Sequence, residues 1–221
     1  MERPVGLRER KKQQTREAIT RAGLELFAKR GFTATKVTDI AAAADVSTRT
    51  FFLHFRWKED LLLEGTHDAA ERLAEEVEAR ATGELTIDVL ERTAIILRDA
   101  QHAPEVLRLR RLAYQVLNAE PRLQGHEMVD FGERLRPSLV TGYSADLRSA
   151  GADDTECSSG ILAGLTISAL IEEMNVYRVS VLRDTVDEDL QKLEFLQAAI
   201  FANLRDAFRT FSTPRGAGVA T

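Results

Sequence analysis

Apolar positions recur along this chain with the period of a helix almost from end to end. Ile19, Ala22, Gly23, Leu26 and Phe27 fall at i, i+3, i+4, i+7 and i+8, one face of a helix predicted over about 8–30. Gly31 follows Lys29 and Arg30, a terminator behind two cations that suit the negative end of the helix dipole. Two short helices come next, about 37–44 and 48–55, separated by Asp45-Val46-Ser47, with Ser47 placed to cap the second. Longer helices are predicted over about 58–81, 84–101 and 104–118. Pro121 opens a seventh, which Pro137 should kink or split. After a loop at 149–154, the last two run over about 155–182 and 187–211, with Thr185 and Glu188 at capping-box spacing between them. Period-2 alternation is absent. The expectation is an all-α chain of about nine helices.

Two helices of about eight residues bury little apolar area, so they need the first helix as a platform. Val37, Ile40, Ala41, Val46, Phe51 and Phe55 are spaced to pack on it, which leaves Thr48, Arg49, Thr50, Phe52 and His54 on or near a projecting surface. The charge pattern gives that surface a meaning. The net charge is −5, yet the chain up to Lys58 carries 13 Lys+Arg against 6 Asp+Glu, and the remainder carries 17 against 29. A head of +7 on a body of −12 suits a polyanion at one end only. A projecting helix bearing Arg and Thr fits the major groove of B-DNA, where Arg pairs bidentately with guanine and Thr reaches a base edge or phosphate. Lys58, at the start of the fourth helix, offers a second anion site.

The stretch from Val37 through Asp39-Ile40-Ala41, Ala44-Asp45-Val46-Ser47-Thr48-Arg49-Thr50-Phe51-Phe52-Leu53-His54-Phe55 to Lys58-Glu59-Asp60-Leu61, preceded by Thr15-Arg16 and Leu24-Glu25-Leu26-Phe27-Ala28-Lys29-Arg30-Gly31-Phe32, resembles the DNA-binding domain of the tetracycline-repressor (TetR) family. The resemblance runs from about Gln14 to Leu62. It implies a two-fold symmetric dimer on a palindromic operator in double-stranded DNA, with a separate effector-binding core. By position it places Thr48 and Arg49 on bases, and Thr50, Phe52, His54 and Lys58 on or beside phosphates, with Ser47 alongside and Lys36 and Thr38 at the start of the second helix. Two positions depart from the pattern. Lys36 stands where Ser or Thr usually caps the second helix, leaving Thr35 to cap. Phe52 stands where Tyr often binds a phosphate; it cannot donate, and is left to pack on a sugar or a thymine methyl. The implied domains are an arm over 1–10, a helix-turn-helix domain over 11–57 with its motif at about 37–56, an effector and dimerisation domain over 58–211, and a disordered tail over 212–221.

In the body, Gly160, Gly164 and Ser168 form a small-residue stripe, and the last helix is apolar on more than one face. A symmetry copy is the simplest second partner, so Gly160, Gly164, Ser168, Leu193, Leu196, Ile200 and Leu204 are expected at a dimer interface. An effector pocket is expected among Tyr114, Leu117, Met128, Phe131, Met174, Asn175 and Arg178. Arg110-Arg111 with Ala119-Glu120-Pro121-Arg122-Leu123 weakly resembles family members that sense lipid-like acyl thioesters.

Other classes find little support. The four histidines (His54, His67, His102, His126) lack metalloprotease spacing, and there is no Gly-rich phosphate loop or nucleophile elbow, so no enzyme, cofactor or metal is expected. His67 and Glu71 are four apart, a spacing that usually marks an exposed polar pair. One cysteine, Cys157, builds no disulfide framework and fits a reducing cytoplasm. No apolar run of eighteen residues suggests a membrane partner, and Met1 to Arg10 is too charged for a signal peptide. The rival to an effector-released repressor is an architectural, or a redox- or metal-responsive, DNA-binding protein without an organic effector.

Overall fold

The structure, a computed structural model, describes residues 6–152 and 155–213. Among these the chain is helix and turn throughout: α1 (Leu7–Arg30), α2 (Val37–Ala43), α3 (Thr48–His54), α4 (Asp60–Glu78), α5 (Thr86–Ala100), α6 (Pro104–Ala119), α7 (Pro121–Ser149), α8 (Thr155–Arg183) and α9 (Val186–Ser212). The expected all-α class and helix order are those observed. The expected tail lies almost wholly outside the described residues. The chain forms two compact units, one of Met1–Gly65 with Pro104–Gly125, the other of Thr66–Ala103 with His126–Thr221.

In the first unit α1 packs against both α2 and α6. Ile19, Ala22, Leu24, Phe27, Ile40, Ala41, Phe51 and Phe55 are buried, whereas Val37 and Val46, expected with them, are half-buried. Gly23 lets the helices approach closely: a Cβ there would sit 2.4 Å from Leu61 Cδ1, so the buried Leu61 side chain would have to shift. Leu24 and Phe27 are buried together because α1 has two neighbours to satisfy. The second of them, α6, is held by Arg108, which donates to Glu25 (2.9 Å) and to Glu105 (2.8 Å).

The second unit has its own core, in which Leu90, Phe131, Leu135, Leu139, Tyr143, Leu162, Phe201 and Leu204 are buried. α7 is one continuous helix and is not split. Pro137 sits on its exposed side, as does Glu133, whose carbonyl has no N–H partner at Pro137. Thr185 stands at the N-cap of α9 but makes no side-chain cap hydrogen bond, so the expected Thr185–Glu188 capping box is not observed. Thr185 Oγ1 donates to Asp189 Oδ2 (2.6 Å), and Ser180 Oγ and Lys192 Nζ donate to the same carboxylate. Hydrogen bonding, first from Lys192 and then from the two hydroxyls, holds Asp189 down to about 2. By length and composition alone α8 is apolar enough to cross a membrane, but one side of it, including Leu162, Ala163, Ile167 and Leu170, lies in this core.

Candidate nucleic-acid interface

The interface is built on α3, and three contacts fix how α3 is presented. Ser47 caps it, its Oγ accepting from the Thr50 N–H at 3.0 Å. Phe51 and Phe55 are buried to at most 3% exposure and set which face turns inward. At its exit the Asp60 carboxylate accepts from the backbone N–H of Arg56 (2.8 Å) and of Trp57 (2.9 Å). The face left outward carries Ser47, Thr48, Arg49, Phe52 and Leu53, with Thr50 and His54 half-buried at its margins. Arg49, Phe52 and Leu53 stand at i, i+3 and i+4 and therefore share one side of the helix.

α1 holds this helix through charge. Arg16 Nη1 donates to the His54 carbonyl at 3.1 Å, its guanidinium lies 4.5 Å over the Phe55 ring, and it pairs with Glu64 at 2.6 Å. Thr20 Oγ1 donates to the same carboxylate. Arg16 thus ties α1, the end of α3 and the start of α4 together. Thr15-Arg16 entered the sequence reading only as part of a resemblance. Its structural role joins residues 38 and 48 positions apart, which local periodicity does not reveal. Burial, and then the charges of Arg16 and Lys12, lower the pKa of His54. His54 therefore faces this surface as a neutral imidazole at pH 7, a hydrogen-bonding group rather than a cation.

Lys58 is engaged within the unit. Its Nζ donates to the carbonyls of Phe32 (2.7 Å) and Thr35 (3.0 Å) and lies 4.3 Å over the Phe32 ring. Expected as an anchor at the start of a helix, it sits two residues ahead of α4 and closes the α1–α2 turn. Thr35 does not cap α2. Its hydroxyl is buried and donates back to the Gly31 carbonyl at 2.8 Å. The Asp39 carboxylate serves α2 instead, accepting from the Lys36 N–H at 3.3 Å. The Lys36 ammonium, which has donors only, is left exposed beside Thr38. Leu53, Arg56 and Trp57 were not among the expected contacts, although all three are exposed beside those that were.

The other expected sites lie elsewhere. Of the pocket residues, Tyr114 and Leu117 are buried on α6 in the first unit, while Met128, Phe131, Met174, Asn175 and Arg178 belong to the second. There Arg178 pairs with Glu127, which also accepts from Thr66 Oγ1 at 2.6 Å, and all three are buried. Of the dimer residues, Leu193 and Leu204 are buried in their own unit, Leu196 and Ile200 are half-buried, and Ser168 is exposed. α9 packs its larger apolar face on α5 and α8 of its own chain, so that face is not the outward one. The apolar residues left outside are Ile161, Leu165, Val176 and Val179 on α8 and Phe195 on α9. A Cβ on Gly160 would meet nothing within 4 Å, and one on Gly164 only Arg136 Nη2 at 3.8 Å, so the small-residue stripe borders open space.

Comparison with known proteins converges on the same segment. Residues 19–64 match the model of the family described as bacterial regulatory proteins, tetR family. The HTH-type transcriptional regulator TcmR of Streptomyces glaucescens is 42% identical over 79 residues, 36% of this chain and 35% of TcmR. The alignment thus spans about a third of that relative's length. Two solved structures share the fold: Salmonella enterica GusR (TM-score 0.52, 19% identity, 88% of this chain and 95% of that one) and Pseudomonas aeruginosa NalD (TM-score 0.51, 20% identity, 86% and 96%). The helix-turn-helix geometry and the matched segment coincide, so residues 19–64 form a domain similar to the DNA-binding domain of the tetR family of bacterial regulatory proteins.

Proposed function

We propose that the protein is a ligand-responsive, sequence-specific transcriptional regulator: a homodimeric repressor released from a palindromic operator by a small, largely apolar effector. The observation that carries this reading is the outward face of α3, with Thr48 and Arg49 exposed on a head of net charge +7. Arg49 reads a guanine and Thr48 a neighbouring base edge. Ser47, Thr50, His54, Lys36, Thr38 and Lys58 lie on or beside phosphates, with Phe52 entering the groove beside them. Lys58 keeps one N–H for this after its two carbonyl bonds.

Dimerisation through α8 and α9 sets the spacing of the two heads, and half-sites one or more helical turns apart follow from it. The outward apolar positions on α8 extend from Ile161 to Val179, about 27 Å at 1.5 Å per residue. The effector site is assigned to the second unit, beside Met128, Phe131, Met174, Asn175 and Arg178. α4, whose residues fall in both units, carries the response. The effector must prefer the DNA-incompetent state by about 1–3 kcal/mol, a typical allosteric coupling. Selection of bound duplexes from a random pool by the full chain tests the core of this reading. A palindromic site is expected, with Arg49→Ala relaxing the preference at one position in each half-site at a cost of about 1–3 kcal/mol. Recovery of no preferred sequence would leave the architectural reading.

A further inference from the structure

α3 exposes more apolar surface than a helix in water should. Phe52 is 54% exposed and Leu53 72% exposed, side by side, one helical turn after Arg49. Neither can turn inward, because Phe51 and Phe55 hold the opposite face and Ser47 and Asp60 pin the two ends. Cations flank the pair: Arg49 ahead of it and Arg56 beyond, the latter with its guanidinium 5.6 Å from the exposed Trp57 ring.

This arrangement selects its occupant. An apolar pair between arginines, on the most basic part of the chain, is poorly suited to another basic head and well suited to the major groove. The apolar group displayed there is the C5-methyl of thymine. Leu53 has no donor or acceptor with which to hydrogen-bond a base edge or a phosphate. We infer that Phe52 and Leu53 read thymine methyls in the operator, with Leu53 as a specificity-determining residue. The inference rests on the proposed role of α3 as the reading helix and deepens it. Three to four residues along a helix advance by about 4.5–6 Å, against about 3.4 Å per base pair. The thymines therefore lie within one or two base pairs of the guanine read by Arg49.

The test replaces each thymine of the selected operator in turn by uracil, which deletes only the methyl, and compares affinities for the full chain. About fourfold weaker binding is expected at one or two positions next to the Arg49-dependent base pair, from the loss of one buried methyl group. Leu53→Ala should abolish the uracil penalty at one position and Phe52→Ala at the other. Both variants should keep the circular dichroism and elution volume of the parent, because neither side chain is part of the core. Equal affinity for all uracil duplexes overturns the inference, as do penalties undiminished in both variants. So does a change of oligomeric state in Leu53→Ala without a change in the uracil ratio, which would mark the patch as a protein contact. If Arg49→Ala relaxes one base position while uracil is neutral everywhere, only the methyl readout fails. If selection yields no preferred sequence, the regulatory reading fails with it.

Discussion

Two of the exposed apolar surfaces among the described residues, one on α3 and one on α8 and α9, differ in what surrounds them. On α3, Phe52 and Leu53 sit between Arg49 and Arg56 in a segment of net charge +7. On α8 and α9, Ile161, Leu165, Val176, Val179 and Phe195 lie in a body of net charge −12. Exposed apolar area alone marks an interaction surface without naming the partner. The flanking charge distinguishes them: the first surface suits a polyanion that carries methyl groups, and the second repels one. A second copy of the acidic body also gains nothing from charge, so association there has to rest on shape and apolar burial, for which the small-residue stripe leaves room.

The strongest way to break the comparison is to remove what holds the first surface in place. Phe51→Ala should cost about 3–5 kcal/mol in stability, since Phe51 is fully buried, whereas Phe52→Ala next to it should stay within about 0.5 kcal/mol. Chemical denaturation of the two variants measures the contrast; equal losses would mean that α3 does not face as described. Next in size, Leu165→Glu places two like charges across the proposed two-fold contact and should weaken dimerisation by several kcal/mol. Sedimentation over a concentration series would show it, and an unchanged dimer would move the contact elsewhere. Gly164→Leu should act in the same direction, because the space is open within one chain.

Lys58→Ala sharpens the basic side. It should weaken binding to all sequences alike and flatten the salt dependence. It should also lower the stability of the head by about 1–2 kcal/mol, since two carbonyl bonds are lost. A salt slope that stays the same would leave Lys58 with a structural role only. A further contrast concerns the half-buried Glu173 on α8, whose carboxyl desolvation pushes up to about 7, against the opposing charge of Arg98. Because the folded pKa lies above the unfolded value, the folded protein binds the proton more tightly. This contribution therefore favours folding at low pH and is lost as pH rises through about 5–7. Glu173→Gln should flatten the fall in Tm across that window. If the parent and the variant run parallel from pH 5 to 8, the Glu173 carboxyl is not desolvated as described.

Helix order, the helix-turn-helix and the Ser47 cap follow from local pattern, because each depends on residues within a turn or two of one another. The exposure of Thr48 and Arg49 follows from the same pattern once Phe51 and Phe55 are recognised as the inward face. The long-range pairs were not legible. Arg16 reaches His54 and Glu64, Lys58 reaches back to Phe32 and Thr35, and Arg108 joins α6 to α1. Each couples residues 23 to 83 positions apart, and an exposed arginine in a sequence looks the same whether or not it has such a partner.

The sequence by itself determined an all-helical chain with a short, capped helix projecting from a basic segment, because period, capping and net charge are local or additive properties. The tertiary structure decided which of several apolar faces became core. On α9 the Leu193, Phe201 and Leu204 face went inward and Phe195 stayed out; on α3 Phe51 went inward and Leu53 stayed out. Hydrophobic burial is non-directional, so two apolar faces of one helix compete on equal terms until packing against particular neighbours settles which is covered.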